Sequence, residues 1–126
     1  MEPDYGSVHI ELGKEYYRAE LLDKAEAELE KGLYISPHYA DGHFFLGLCQ
    51  RQKSDLNAAI SSFEEALELN PFYEEATFEL VDSYLSAERK QDARKLLQRF
   101  QSFQRKNSRG YKRATKLISE LEGGDS

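Results

Sequence analysis

Displaced by 34 residues, the chain aligns with itself. His9 falls on His43, Leu12 on Leu46, Gly13 on Gly47, Ala25 on Ala59, Leu33 on Leu67, Pro37 on Pro71 and Tyr39 on Tyr73. A second displacement of the same length adds Leu80 and Ala93, puts Tyr84 beneath Tyr16, and puts Leu97 beneath Leu29 and Phe63. A fixed period of this length restricts the fold to stacked supersecondary units. One such unit cannot bury its own apolar face, and its neighbours must do so.

Each unit reads as two helices. Val8, Leu12, Gly13, Tyr16 and Tyr17 recur at three- and four-residue spacing, and the pattern restarts with Ala25, Leu29, Leu33 and Ile35. Proline pushes the residue before it out of helical geometry, so Pro37 and Pro71 stop one unit before the next begins. Sparse β-branched residues and the absence of hairpin dipeptides argue against strands. The spacing predicts helices near 6–19, 22–35, 40–53, 56–69, 74–87 and 90–105, and a seventh in SRGYKRATKLISELE, over 108–122. In the seventh, Tyr111, Ala114, Leu117, Ile118 and Leu121 form one stripe, while Arg109, Lys112, Arg113 and Lys116 face water.

These residues resemble the tetratricopeptide repeat. The second unit carries Leu46, Gly47, Ala59, Phe63, Ala66 and Pro71 at the family's signature positions, and the first carries Leu12, Gly13, Tyr16, Ala25, Leu29, Gly32 and Pro37. The third keeps Leu80, Tyr84, Ala93 and Leu97 but departs at Val81, Phe100 and Arg105, where the family has a small residue, a small residue and proline. The resemblance implies an all-α, right-handed superhelical solenoid of three helix-turn-helix hairpins closed by a capping helix. The expected layout is a lead at 1–5, repeats at 6–39, 40–73 and 74–107 (the last atypical), a capping helix at 108–122 and a tail at 123–126. Small residues at Gly13 and Gly47, with Ala25 and Ala59, would let the two helices of a hairpin approach. Gly32 and Ala66 would admit the next hairpin. Phe100 would push that neighbour outward, and without a proline the sixth helix could run past residue 105.

The family's concave face is lined by the first helix of each unit. Carried onto this chain, it gives three rows: Ile10, Phe44 and Phe78; Lys14, Leu48 and Asp82; Tyr17, Arg51 and Leu85. Phe45 and Glu79 lie beside them. With Leu12, Tyr16, Leu46 and Leu80 read as the inward stripe, Ile10, Phe44 and Phe78 form a second apolar stripe that calls for a partner. Around it Lys14, Arg18 and Arg51 lie in the first two units, and Glu75, Glu79 and Asp82 in the third. A bound segment would therefore lie in one direction, its basic end toward the third unit. The family's clamp for a C-terminal carboxylate needs Lys, Asn and Arg where this chain has Ile10, Lys14, Phe45, Glu75 and Glu79, which contradicts that mode.

Catalytic chemistry is hard to find. His9, His38 and His43 have no metal-ligand spacing, and no cofactor or metal is expected. The single cysteine, Cys49, cannot form an internal disulfide and reads as a small core filler. No apolar run approaches membrane-spanning length, and the N-terminus lacks a leader pattern, so the expected compartment is the cytoplasm. Charge is uneven: residues 1–92 carry 20 acids and 8 bases, whereas 93–126 carry 9 bases and 3 acids, with every one of those bases between Arg94 and Lys116. That stretch, with Phe100, Phe103 and Tyr111 interleaved, supports a rival reading as a nucleic-acid or anionic surface. The acidic remainder would repel phosphate. The expected function is thus an adaptor or scaffold, not an enzyme, binding a peptide or helical segment of another protein. Self-association through acidic and basic ends is a variant of it.

Overall fold

The computed structural model describes residues 4–123. Residues 1–3 of the expected lead and 124–126 of the expected tail lie outside it. Among the described residues there are seven α-helices and no strand: α1 (Tyr5–Arg18), α2 (Leu22–Ile35), α3 (Ala40–Gln52), α4 (Leu56–Leu69), α5 (Glu74–Ser86), α6 (Lys90–Ser102) and α7 (Arg109–Gly123). The expected all-α class and helix count are the ones observed. Two compact units are present, one ending at Pro71 and the other beginning at Phe72.

The turn inside each hairpin is the same device used three times. Glu20, Ser54 and Glu88, each 34 residues from the next, have φ of 63°, 65° and 59°, in the left-handed region. The following amide reaches back five residues, from Leu21 to the Tyr16 carbonyl, from Asp55 to Gln50 and from Arg89 to Tyr84. This is a Schellman closure, which satisfies the last carbonyls of the first helix. The carbonyl of that same residue, Leu21, Asp55 or Arg89, already accepts the first bond of the second helix, from Ala25, Ala59 and Ala93 respectively. The period in sequence is therefore a period in backbone geometry.

In the first unit, α1 with α2 and α3 with α4 form two hairpins. A Cβ at Gly13 would fall 2.6 Å from Leu29 Cγ, and one at Gly47 would fall 2.6 Å from Phe63 Cε1, so both hairpins need these glycines for close approach. Gly32 acts differently from expectation. A Cβ there would meet the Gly6 carbonyl oxygen and Ile10 Cγ1, each at 2.7 Å, so it admits α1 of its own hairpin. Contact with the following hairpin is made through Gly42, where a Cβ would lie 2.8 Å from Leu33 Cδ2 and 3.1 Å from Ile10 Cδ1. Ala25, Leu29, Leu33, Ile10 and Cys49 are the buried centre, with Tyr16, Tyr17, Phe45 and Leu46 packed against it.

In the second unit, α6 stops at Ser102 instead of running past 105. Phe103 caps it, and Asn107, at φ 72°, turns the chain into α7. Asparagine tolerates this conformation better than most residues. Phe100 does not force α7 away. It is buried edge-on against Phe78, with ring centroids 5.1 Å apart. A Cβ at Gly110 would sit 3.1 Å from its ring, so the small residue that earlier hairpins carry on the second helix is supplied here by α7. Ala114 is fully buried, and Tyr111, Leu117, Ile118 and Leu121 are half-buried, as the apolar stripe of α7 predicts.

Candidate protein-binding face

The row expected to be most exposed is the most buried. Ile10, Phe44 and Phe78 are 2%, 4% and 6% exposed. Ile10 fills the crossing between Gly32 and Gly42. Phe44 stacks 5.8 Å from Phe63, and Phe78 packs on Phe100 beneath the Arg113 guanidinium. These side chains belong to the core of their units, which corrects the reading of a free second stripe. The supposed inward stripe needs the matching correction, because Leu12 is 41% exposed, with Val8 and Tyr5 also open, whereas Leu80 is buried.

What remains accessible on the first-helix face of unit one is a smaller cluster centred on Phe45. The ring is half-buried and meets Tyr17 edge-on at 5.5 Å and Phe44 at the same separation. Lys14 Nζ lies 5.4 Å and Arg18 Cζ 5.6 Å from its centroid, close enough for cation–π attraction. Gln52 donates to the Tyr17 hydroxyl at 2.9 Å, and Leu48 and Arg51 on α3 are half-buried.

Lys14 is committed within the fold. Its ammonium donates to Asp41 at 2.9 Å and to Glu11 at 3.1 Å. Burial works against its charge, but the hydrogen bonds to Asp41 and then Glu11 outweigh this and hold its pKa above the ordinary lysine value. Arg18 pairs with Glu15 at 2.6 Å. The cluster therefore offers aromatic and aliphatic area edged by neutralised charge, a surface suited to an apolar anchor.

On the second unit, Glu79 is half-buried, whereas Asp82 and Leu85 are exposed. Of the basic residues, Arg109, Lys112 and Lys116 face water as expected. Arg113 is exposed too, yet its guanidinium is held over Phe78 at 3.7 Å.

The residues with chemical potential are accounted for structurally. His9 Nδ1 sits 2.7 Å from Glu28 Oε2, and His43 Nε2 sits 2.9 Å from the Pro37 carbonyl oxygen, so both tie helices to neighbouring backbone or side chains. Cys49 is fully buried, and burial, with the nearby Glu26 charge, pushes its thiol up to about 11. A thiol held protonated at neutral pH is a poor nucleophile. Among the described residues, no group of three His, Cys, Asp or Glu is placed to hold a metal ion, and no helix is long and apolar enough to cross a membrane.

Two sequence profiles, each described as tetratricopeptide repeat, match residues 10–74 and 50–117. The chain belongs to the tetratricopeptide repeat family. A curated relative, the tetratricopeptide repeat domain-containing protein PYG7, chloroplastic, of Arabidopsis thaliana, is 33% identical over 70 residues. The match takes in 56% of this chain but only 23% of that protein. Among solved structures, the Yersinia enterocolitica type III secretion chaperone SycD, in complex with a peptide of the translocator YopD, superposes with a TM-score of 0.83. It is 14% identical, over 99% of this chain and 98% of that one. The first TPR domain of Spaghetti (RPAP3), bound to the HSP90 peptide SRMEEVD, gives 0.77 at 18% identity, with 98% of each chain covered. At these identities the likeness establishes a shared tetratricopeptide repeat fold.

Proposed function

We propose that this tetratricopeptide repeat protein is a scaffold that captures a segment of a partner protein on the first-helix face of its hairpins. Phe45 is the centre of that face. The observation that carries the reading is the half-exposed Phe45–Tyr17 pair, edged by Lys14 and Arg18, on a fold whose solved relatives hold peptides. Leu48 and Arg51 extend the surface along α3. Glu79, Asp82 and Leu85 belong to the corresponding face of α5. Binding energy at such surfaces concentrates in a few aromatic anchors ringed by weaker polar contacts. The reading assigns no catalysis and no cofactor to the chain, and it keeps the cytoplasm as the expected compartment.

The carboxylate-clamp mode forms no part of it. The one cation of suitable type, Lys14, already serves Asp41 and Glu11.

A photo-crosslinking amino acid placed at Leu48 tests the proposal, with Tyr34, 90% exposed on α2, as the control position. Crosslinks from position 48 that disappear in Phe45→Ala, with none from position 34, are the expected result. Equal crosslinking from both positions, or persistence in Phe45→Ala, would refute the assignment of this face.

A further inference from the structure

Cations in the two units are handled differently. In the first, Lys14 pairs with Glu11 and Asp41, Arg18 with Glu15, Lys31 with Glu28, and Lys53 with Asp23 and Glu26. In the second, Arg89 pairs with Asp92 at 2.8 Å and Arg94 reaches Glu122 at 4.0 Å, but Arg105, Lys106, Arg109, Lys112 and Lys116 form no ion pair among the described residues. Five cations close in sequence and without an ion pair among the described residues make this stretch attractive to an anion.

Two of these cations border a shallow groove of about 490 Å³ that runs along α7 from the Asn107 turn. Tyr111, Lys112, Thr115, Lys116 and Ser119 line it, and Glu120 closes its far end. The groove lies beside the surface by which α7 packs: Gly110 and Ala114 are the buried residues of the helix, and half-buried Tyr111 stands at the border between the two. Its floor is held by hydrogen bonds: Gln101 Nε2 donates to Thr115 Oγ1 at 2.6 Å, and Thr115 Oγ1 donates to the Tyr111 carbonyl at 2.9 Å. An aromatic body, hydroxyl groups and two unpaired ammonium groups thus share one open face.

We infer that this groove is a docking surface for an acidic segment of a partner protein, separate from the Phe45 face and independent of the reading proposed for it. Carboxylates of the segment meet Lys112 and Lys116, and an apolar side chain lies along Tyr111. Charge complementarity selects the occupant. A nucleic acid carries a phosphate at every nucleotide, so a strand running on past Lys116 meets Glu120 and Glu122, where repulsion opposes binding. A short acidic peptide can stop before Glu120 and meets only the basic stretch. Its acid-rich part lies toward Asn107 and its neutral part toward Glu120.

The test selects dodecamers from a random peptide library on the full chain and measures the consensus peptide by fluorescence anisotropy. A 20-nucleotide single strand of DNA serves as a second probe. Enrichment in Asp and Glu is expected, with at least tenfold weaker binding to the double variant Lys112→Glu, Lys116→Glu and none of that loss in Lys24→Glu. Binding should also weaken as salt rises. Selected peptides without acidic enrichment, or affinities within twofold across the variants, would overturn the inference. So would DNA binding tighter than peptide, or self-association of the chain that the double reversal abolishes. Both reversed positions are exposed, so unchanged melting of the double variant confirms that a loss reports on the groove.

Discussion

The guanidinium carbon of Arg113 lies 3.7 Å from the centroid of the Phe78 ring, which is itself only 6% exposed. A cation of α7 thus closes over an aromatic ring of α5, and the ring behaves as core. Phe78→Ala should cost about 3–5 kcal/mol in urea unfolding, as for other buried phenylalanines. Arg113→Ala should cost about 0.5–1 kcal/mol, the range of a partly solvated cation–π contact. Removal of residues 108–126 should uncover Phe78 and Phe100 together, lower Tm and promote aggregation. A truncated chain as stable and soluble as the whole would show that α7 is not a cap.

Leu12 and Leu46 occupy the same repeat position in different surroundings. Leu12 is 41% exposed, while Leu46 is packed against the core built from Ile10, Leu29 and Leu33. Leu12→Gln should therefore change stability by no more than about 0.5 kcal/mol. Leu46→Gln should lose about 1–3 kcal/mol, because it removes buried apolar area and leaves an amide to be desolvated. Thermal melts of the two variants separate these outcomes directly.

The left-handed residues at Glu20 and Glu88 carry a Cβ where glycine would be unstrained. An L-residue in this region costs roughly 1–2 kcal/mol, and the added freedom of glycine in the unfolded chain offsets part of that. Glu20→Gly and Glu88→Gly are each expected to raise unfolding free energy by about 0.5 kcal/mol. Destabilisation in either would mean that the glutamate side chain contributes more than the strain it imposes.

Asp4 joins the start of α1 to the junction before α3. Its carboxylate accepts from the Tyr39 hydroxyl, from Ser36 Oγ at 2.9 Å and from the Ser7 amide at 3.2 Å. These bonds, that from Tyr39 foremost, hold its pKa below the ordinary 3.8. A depressed folded value means a contribution that is complete above the unfolded pKa and is lost as pH falls through the folded one. The window therefore opens below about pH 4. Asp4→Asn should be less stable than the parent at neutral pH, and the difference should shrink as pH is lowered through that window. Chemical denaturation at a series of pH values checks both parts.

Much of the fold was legible because its signals are local. The 34-residue period, the Pro37 and Pro71 stops and the apolar spacing of α7 each act through neighbouring residues, and the seven helices follow from them. The left-handed turns were not legible: Glu20, Ser54 and Glu88 share a backbone conformation without sharing a side chain that announces it. Exposure was the larger gap. Periodicity shows that Ile10, Phe44 and Phe78 share a helix face, but not how much of that face other helices cover. Coverage depends on how closely helices approach, and that is set by pairs distant in sequence: Gly32 and Gly42 on Ile10, Phe63 on Phe44, Phe100 and Arg113 on Phe78. The same long-range contacts leave Phe45 half-open, and among the described residues the ion pairs made by Lys14 in the first unit have no counterpart at Lys112 and Lys116. Sequence spacing alone specified the repeat and its helices. Only tertiary contact decided which of their faces are left for a partner, because burial is a property of neighbours that the chain brings together by folding.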